Sequence, residues 1–208
     1  EETTPEAETL PALGHSMVKT EASAPTYFTN GNQEYYSCSR CGRVFKDEQG
    51  QTETTIAEES LPMLPSVAHG TCGAQGDNLI WVLTEDGVLT ISGEGNMNDY
   101  THEETAPWNT HQLQITAVML KSGVTTIGNS AFEGCLSLAS VTISEGVTSI
   151  GERAFNGCLS LTSVTISGSV ASIGSSAFSD CNGLTAIVLP DRLSDIGTWA
   201  FARCYQLT

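Results

Sequence analysis

Apolar and polar positions in the second half of this chain recur with a period of 23 residues. Val124, Val147, Val170 and Leu193 hold one register, and Ile127, Ile150, Ile173 and Ile196 a second. Leu138, Leu161, Leu184 and Leu207 form a third, and Gly128, Gly151, Gly174 and Gly197 keep step with them. So do the Ala-Phe pairs beginning at Ala131, Ala154, Ala177 and Ala200, and Cys135, Cys158, Cys181 and Cys204. Self-similarity at a period of roughly 20 to 50 residues marks a stacked-repeat architecture, in which no unit buries its apolar side without neighbours.

Within one repeat, Leu161-Thr162-Ser163-Val164-Thr165-Ile166-Ser167 alternates from Ser163 onward, which predicts a short half-buried strand. Leu161, Val164 and Ile166 are expected to point inward, and Ser163, Thr165 and Ser167 to face solvent. A turn at Gly168-Ser169 returns Val170 and Ile173 to the core. Gly174 marks a position needing either a positive backbone angle or close packing. The Ser176–Cys181 segment is too short for a long helix and suits one helical or 3-10 turn, with Phe178 and Cys181 on one face. Stacking sets equivalent strands side by side in a parallel sheet, about 4.8 Å apart, and lines up Phe132, Phe155, Phe178 and Phe201 as an internal ladder. A 23-residue interval between cysteines does not supply the close pairs that metal sites use, and parallel Cβ vectors aim poorly for disulfides. These thiols read as buried apolar groups.

The pattern I-G-x-x-A-F-x-x-C-x-x-L-x-x-V-x-I over residues 124–208 resembles the BspA-like leucine-rich repeats of bacterial surface proteins. An earlier, imperfect unit supplies Ile115, Val118 and Leu120. The resemblance implies secretion or display at a bacterial cell surface, and in some relatives adhesion to host extracellular-matrix proteins. Residues 70–110 resemble the segment that often precedes such repeats. Leu79–Leu83 and Val88–Ile91 flank Thr84-Glu85-Asp86-Gly87, which predicts a β-hairpin. Trp81 and Trp108 are large enough to cover the first repeat, as an exposed terminal rung requires. Gly93–Asp99 faintly suggests a calcium loop but lacks EF-hand spacing and its terminal glutamate, so it reads as a Gly/Asn turn.

The N-terminal third differs in texture. Cys38-Ser39-Arg40-Cys41-Gly42 looks like a zinc knuckle, and His15 is a third candidate ligand. Residues 15–50 also resemble a small Cys/His module of bacterial surface proteins, with an H…P-T-C…G-N-x-x-Y…C-x-x-C-G pattern. Tyr27 stands where that pattern has a cysteine, so a structural zinc, a vestigial site and a Cys38–Cys41 disulfide all stay open. The expected organisation is an acidic disordered tail (1–14), a β-rich zinc-ribbon-like Cys/His module (15–52), a linker (53–69), a β-hairpin capping segment (70–114) and repeats (115–208). The fold class is an α/β leucine-rich-repeat solenoid of short parallel strands plus helical or 3-10 turns. The final repeat stops where another strand would begin, which reads as a fragment of a longer array or as an end covered by a second copy.

The 24 acidic and 8 basic residues leave a net charge of −16. Such a chain repels nucleic acid and anionic lipid, and no stretch approaches the roughly 20 apolar residues of a membrane span. The outward strand positions form two ladders, Ala117, Ser140, Ser163, Ala186 and Met119, Thr142, Thr165, Val188, which are small and nearly uncharged. Binding energy concentrates in Trp, Tyr and Arg, so Trp199, Tyr205 and Tyr100 are the better anchor candidates, beside Met119, Thr142 and Thr165 on the strand face. His69 with Cys72, and His102 and His111, lack the motif context of a catalytic site. Together with these features, the resemblance to BspA-like repeats implies a non-enzymatic module that binds an extracellular protein or glycoprotein. The alternatives are an inert spacer and, remotely, a hydrolase.

Overall fold

The computed structural model describes residues 14–26 and 29–208, which fall into two compact units divided between Leu64 and Pro65. Apart from Gly14, the tail expected over residues 1–14 lies outside the described residues.

The first unit is built from short antiparallel strands: β1 (Met17–Thr20), β2 (Gly31–Asn32), β3 (Tyr35–Cys38), β4 (Val44–Phe45), β5 (Glu53–Thr54) and β6 (Ser60–Leu61). Four of them form one sheet in the order β1-β3-β4-β5, while β2 pairs with β6. A single helical turn, α1 (Ile56–Glu59), is closed by a capping box in which the Thr55 hydroxyl accepts from the Glu58 amide. The linker expected over residues 53–69 is therefore corrected, because β5, α1 and β6 occupy its first half. Glu59 explains the error. Its acidic side chain suggests solvent, yet it is buried, accepting from the Thr54 hydroxyl at 2.7 Å and pairing with Lys46 at 3.4 Å.

The second unit opens with β7 (Ala68–Gly73), β8 (Gly76–Leu83) and β9 (Val88–Gly93), joined antiparallel. The β8–β9 connection is the expected hairpin turn, with Gly87 at φ 82°. β9 then pairs in parallel with β11 (Ala117–Leu120), which pairs with β13 (Ser140–Ile143), and that with β15 (Ser163–Thr165). Val118, Val141 and Val164 are direct partners across these strands.

A second parallel sheet, absent from the sequence reading, runs through β10 (Gly95–Asn96), β12 (Val124–Ile127), β14 (Ser149–Ile150), β16 (Ser172–Ile173) and β17 (Asp195–Ile196). The V-x-x-I segments thus make a ladder of their own rather than merely dipping into the core. Gly95-Asn96, read as part of a turn, heads this sheet.

Between the sheets lies one continuous apolar cluster from Cys72 to Ala200. Phe132, Phe155 and Phe178 have no exposed surface, and successive rings from Phe132 to Phe201 stack with centroids 5.1, 5.1 and 5.5 Å apart. Trp108 heads the column 5.2 Å from Phe132, donating its indole N–H to the Ala131 carbonyl at 2.9 Å. The segments carrying these rings are tight turns closed by bonds between residues three apart. In each, the cysteine amide reaches the phenylalanine carbonyl, as from Cys181 to Phe178 at 3.3 Å. Neighbouring rungs are tied here as well, Phe155 N–H to Ala177 O at 2.8 Å.

Gly151 resolves the choice left open for its register. It is not among the positive-φ residues, and a Cβ there would lie 2.6 Å from the Asn129 nitrogen of the preceding rung. Close packing is what requires the glycine. Two further corrections concern strand edges. Ser167, expected in solvent, is buried, because its hydroxyl donates to the Ser144 carbonyl at 3.0 Å. Residues 185–189 form no strand, so Ala186 and Val188 do not continue the outward ladders, and Val188 is left 82% exposed.

Candidate functional site

In the second unit, the side chains expected to bind a partner fall into three environments. The strand-face ladder holds Met119, Thr142 and Thr165 on β11, β13 and β15, paired rung to rung. Met119 is half-buried and the two threonines are exposed. The turns present Trp199 and Tyr205, 74% and 80% exposed. Tyr100 is different. Its ring packs edge-on against Trp108 at 5.9 Å, with only 7% of its surface exposed. This corrects its assignment as an anchor: it belongs to the cap of the aromatic column, and burial raises its phenol pKa above the usual value.

Trp199 owes its exposure to backbone geometry. Ser130, Arg153, Ser176 and Trp199 occupy one repeat register, and all have φ between 49° and 60°. This left-handed corner aims the side chain away from the core whatever its type. A bulky residue tolerates the conformation poorly unless its surroundings enforce it, and here the rungs on one side fix every corner. The Trp199 indole lines a cleft of about 400 Å³ together with Arg153, Asn156, Asp180 and Arg203. The arginines are partnered, Arg203 with Asp180 at 3.3 Å and Arg153 with Glu133 at 3.3 Å. The cleft thus offers an aromatic plate beside a polar, charge-balanced rim.

The period also generates a feature that the sequence reading missed. Leu113, Leu136, Leu159 and Tyr205 share a register and are 63%, 44%, 46% and 80% exposed, with Asn182 interrupting the series. The signal was available. In Cys-Leu-Ser-Leu at 135–138 and 158–161, two leucines stand two apart beside a buried cysteine, and a tight turn buries only one of them, here Leu138 and Leu161.

Of the residues weighed for catalysis, Cys72 and His69 sit in opposite environments on β7. Cys72 is buried, and burial pushes its thiol up to about 12, opposite to what a nucleophile needs. His69, three positions earlier on β7, is exposed. Burial likewise raises the thiols of Cys135 and Cys181 to about 12. Cys158, Cys181 and Cys204 donate to the phenylalanine carbonyl of the rung before, at 3.2, 3.2 and 3.1 Å.

The first unit brings together the three residues singled out as metal ligands. One donor atom each from His15, Cys38 and Cys41 falls within 4.8 Å of the others. Cys41 Sγ lies 3.5 Å from His15 Nδ1. Both cysteines are free thiols, Cys38 buried and Cys41 exposed. Burial works against the Cys38 thiolate, but hydrogen bonds from the Cys41 amide, the His15 ring and the Arg40 and Ser16 amides outweigh it and bring that thiol down to about 6.

A family profile described as a BspA type leucine rich repeat region matches residues 110–208 in six copies. Among solved structures, a leucine-rich repeat protein from Eubacterium ventriosum is 36% identical over 65% of this chain and 36% of its own, with a TM-score of 0.58. The leucine-rich repeat protein TpLRR of T. pallidum is 25% identical over 67% of this chain and 70% of its own, with a TM-score of 0.50. The chain therefore spans little more than a third of the length of the E. ventriosum protein. No curated protein matches it.

Proposed function

Because residues 110–208 belong to the BspA-type leucine-rich repeat family, we propose that this chain is a non-catalytic adhesion module, secreted or displayed at a bacterial surface. In this reading it binds a protein or glycoprotein of a host or neighbouring cell. Trp199 carries the proposal. A large aromatic residue 74% exposed on a rigid repeat corner, beside the paired charges of Arg203 and Asp180, is the composition of an interface hot spot with its polar rim. Tyr205 and the exposed Leu136 and Leu159 supply apolar area on the same series of turns. Among the described residues no helix is long and apolar enough to cross a membrane, and the net charge of −16 disfavours nucleic acid and anionic lipid as partners. Met119, Thr142 and Thr165 provide a flatter, weakly polar face that contributes contact area rather than anchoring.

The test is saturable binding of the full chain to immobilised extracellular-matrix proteins and mucins. Trp199→Ala and Tyr205→Ala are each expected to weaken that binding about tenfold or more, with circular dichroism unchanged because neither side chain is buried. An absence of saturable binding across the panel would favour a spacer role. The small, uncharged Ser140, Ser163 and Thr165 of the strand face suit such a role.

A further inference from the structure

The first unit holds one cluster of metal-ligating side chains that the adhesion reading does not use. We infer that His15 Nδ1, Cys38 Sγ and Cys41 Sγ hold one Zn²⁺, with the remaining coordination position facing solvent.

The geometry supplies the reasons. Donors at zinc distances of about 2.0–2.3 Å around a tetrahedron lie roughly 3.3–3.8 Å from one another. The His15–Cys41 separation of 3.5 Å already meets that spacing, and the whole set, within 4.8 Å, needs a contraction of about 1 Å to close on an ion. The convergence is built rather than accidental, because the two chain segments that carry the donors are clipped together. The Ser39 amide donates to the Ser16 carbonyl at 2.9 Å, the Ser39 hydroxyl reaches the same carbonyl at 3.2 Å, and Arg40 Nη1 donates to the Gly14 carbonyl at 3.1 Å. The residues on either side of His15 are thereby fastened to the two residues between the cysteines. The tight turn itself is closed by the Gly42 amide donating to the Cys38 carbonyl at 2.8 Å.

Supporting contacts fix the imidazole. Its ring lies 4.6 Å from that of Phe45. A Cβ on Gly50 would come within 2.8 Å of His15 Cδ2, so glycine is what lets the chain pass beside the ring. Two thiolates and an imidazole are the donor types that zinc takes, where carboxylate sets favour calcium or magnesium. Among the described residues no fourth His, Cys, Asp or Glu joins the group. His15 and Cys41 are exposed, so the free position opens outward.

The experiment uses the full chain, purified under reducing conditions and stripped with a chelator, then titrated with Co²⁺ as a spectroscopic substitute and with Zn²⁺ as competitor. The expected result is an equimolar end point. It should carry thiolate-to-cobalt absorption in the near ultraviolet and intense visible bands of a tetrahedral site, all erased by zinc. Cys41→Ser and His15→Ala should weaken cobalt binding about tenfold or more. Added imidazole should shift the visible bands by entering the open position. Three results would overturn the inference: a titration without thiolate bands, full-strength binding in Cys41→Ser, or a reduced protein that takes up no zinc. Visible bands indifferent to imidazole would overturn the open position, since they require a fourth donor from the chain.

Discussion

Phe155 sits between Phe132 and Phe178, 5.1 Å from each, with no exposed surface. Removing its ring leaves a void bounded by two rungs whose backbones are already bonded, so neither rung can collapse into it. Phe155→Ala is expected to cost about 3–5 kcal/mol, read as a lowered midpoint in urea. Phe201, half-buried at the last rung, should cost clearly less when changed the same way. The buried cysteines make a second, electrostatic prediction. Burial raises Cys72, Cys135 and Cys181 from an ordinary 9 to about 12. Between those values the unfolded chain has lost these protons while the folded chain keeps them, so the folded state is favoured below about pH 9 and loses that advantage as pH rises toward 12. Urea midpoints measured from pH 8 upward should fall, and substituting Cys72, Cys135 and Cys181 together by alanine should flatten the slope. At this scale the sequence was legible wherever period alone fixed the environment, as for the four phenylalanines and the repeat cysteines. It misled at Tyr100 and Ser167, because a tyrosine or serine carries no sign of whether it will find a buried partner. Here those partners are Trp108 and the Ser144 carbonyl.

Among elements, the tight corner between strand and turn is the most constrained. Gly151→Ala would place a methyl 2.6 Å from a backbone nitrogen that cannot move without shearing the rung before it. A loss of about 1–3 kcal/mol is expected. Gly157 offers the contrast. Its φ is 72° and its nearest neighbour atoms are 4.0 Å away, and Asp180 occupies the same register at φ 62°. Gly157→Asp should therefore change the unfolding midpoint by less than about 1 kcal/mol. A loss at Gly157 as large as that at Gly151 would mean that the positive φ demands glycine there even without a close contact. The same reasoning explains why one parallel sheet was foreseen and two were found. Alternation over Ser163–Ser167 announces a strand, whereas two-residue pairings such as Ser149-Ile150 with Ser172-Ile173 are too short to leave a period-two pattern. Likewise, Glu53–Leu61 disguises its strands and helical turn as an acidic linker, since its order rests on the capping box at Thr55 and on buried Glu59.

At the scale of the molecule the two units differ in what can hold them together. Residues 65–208 contain every member of the continuous apolar cluster, including Trp108 and the phenylalanine column. A fragment of those residues should unfold in urea as one cooperative transition, because each rung buries its apolar side only against the next. The first unit has no such reserve. Among its described residues the buried apolar groups are Cys38, Val44 and Phe45, far less than a unit of about 60 residues needs to offset its conformational entropy. Its sheet of two- and four-residue strands needs a staple, and the cluster of His15, Cys38 and Cys41 joins the start of β1 to the end of β3. A fragment of residues 1–64 is therefore expected to melt cooperatively with zinc in slight excess and to lose that transition on chelation, because metal binding then supplies folding free energy. The measurement is a pair of thermal scans by circular dichroism under reducing conditions. Identical cooperative melts with and without metal would mean that Val44, Phe45 and the buried Glu59–Thr54 contact suffice, and the staple would have to be given up even if an ion binds.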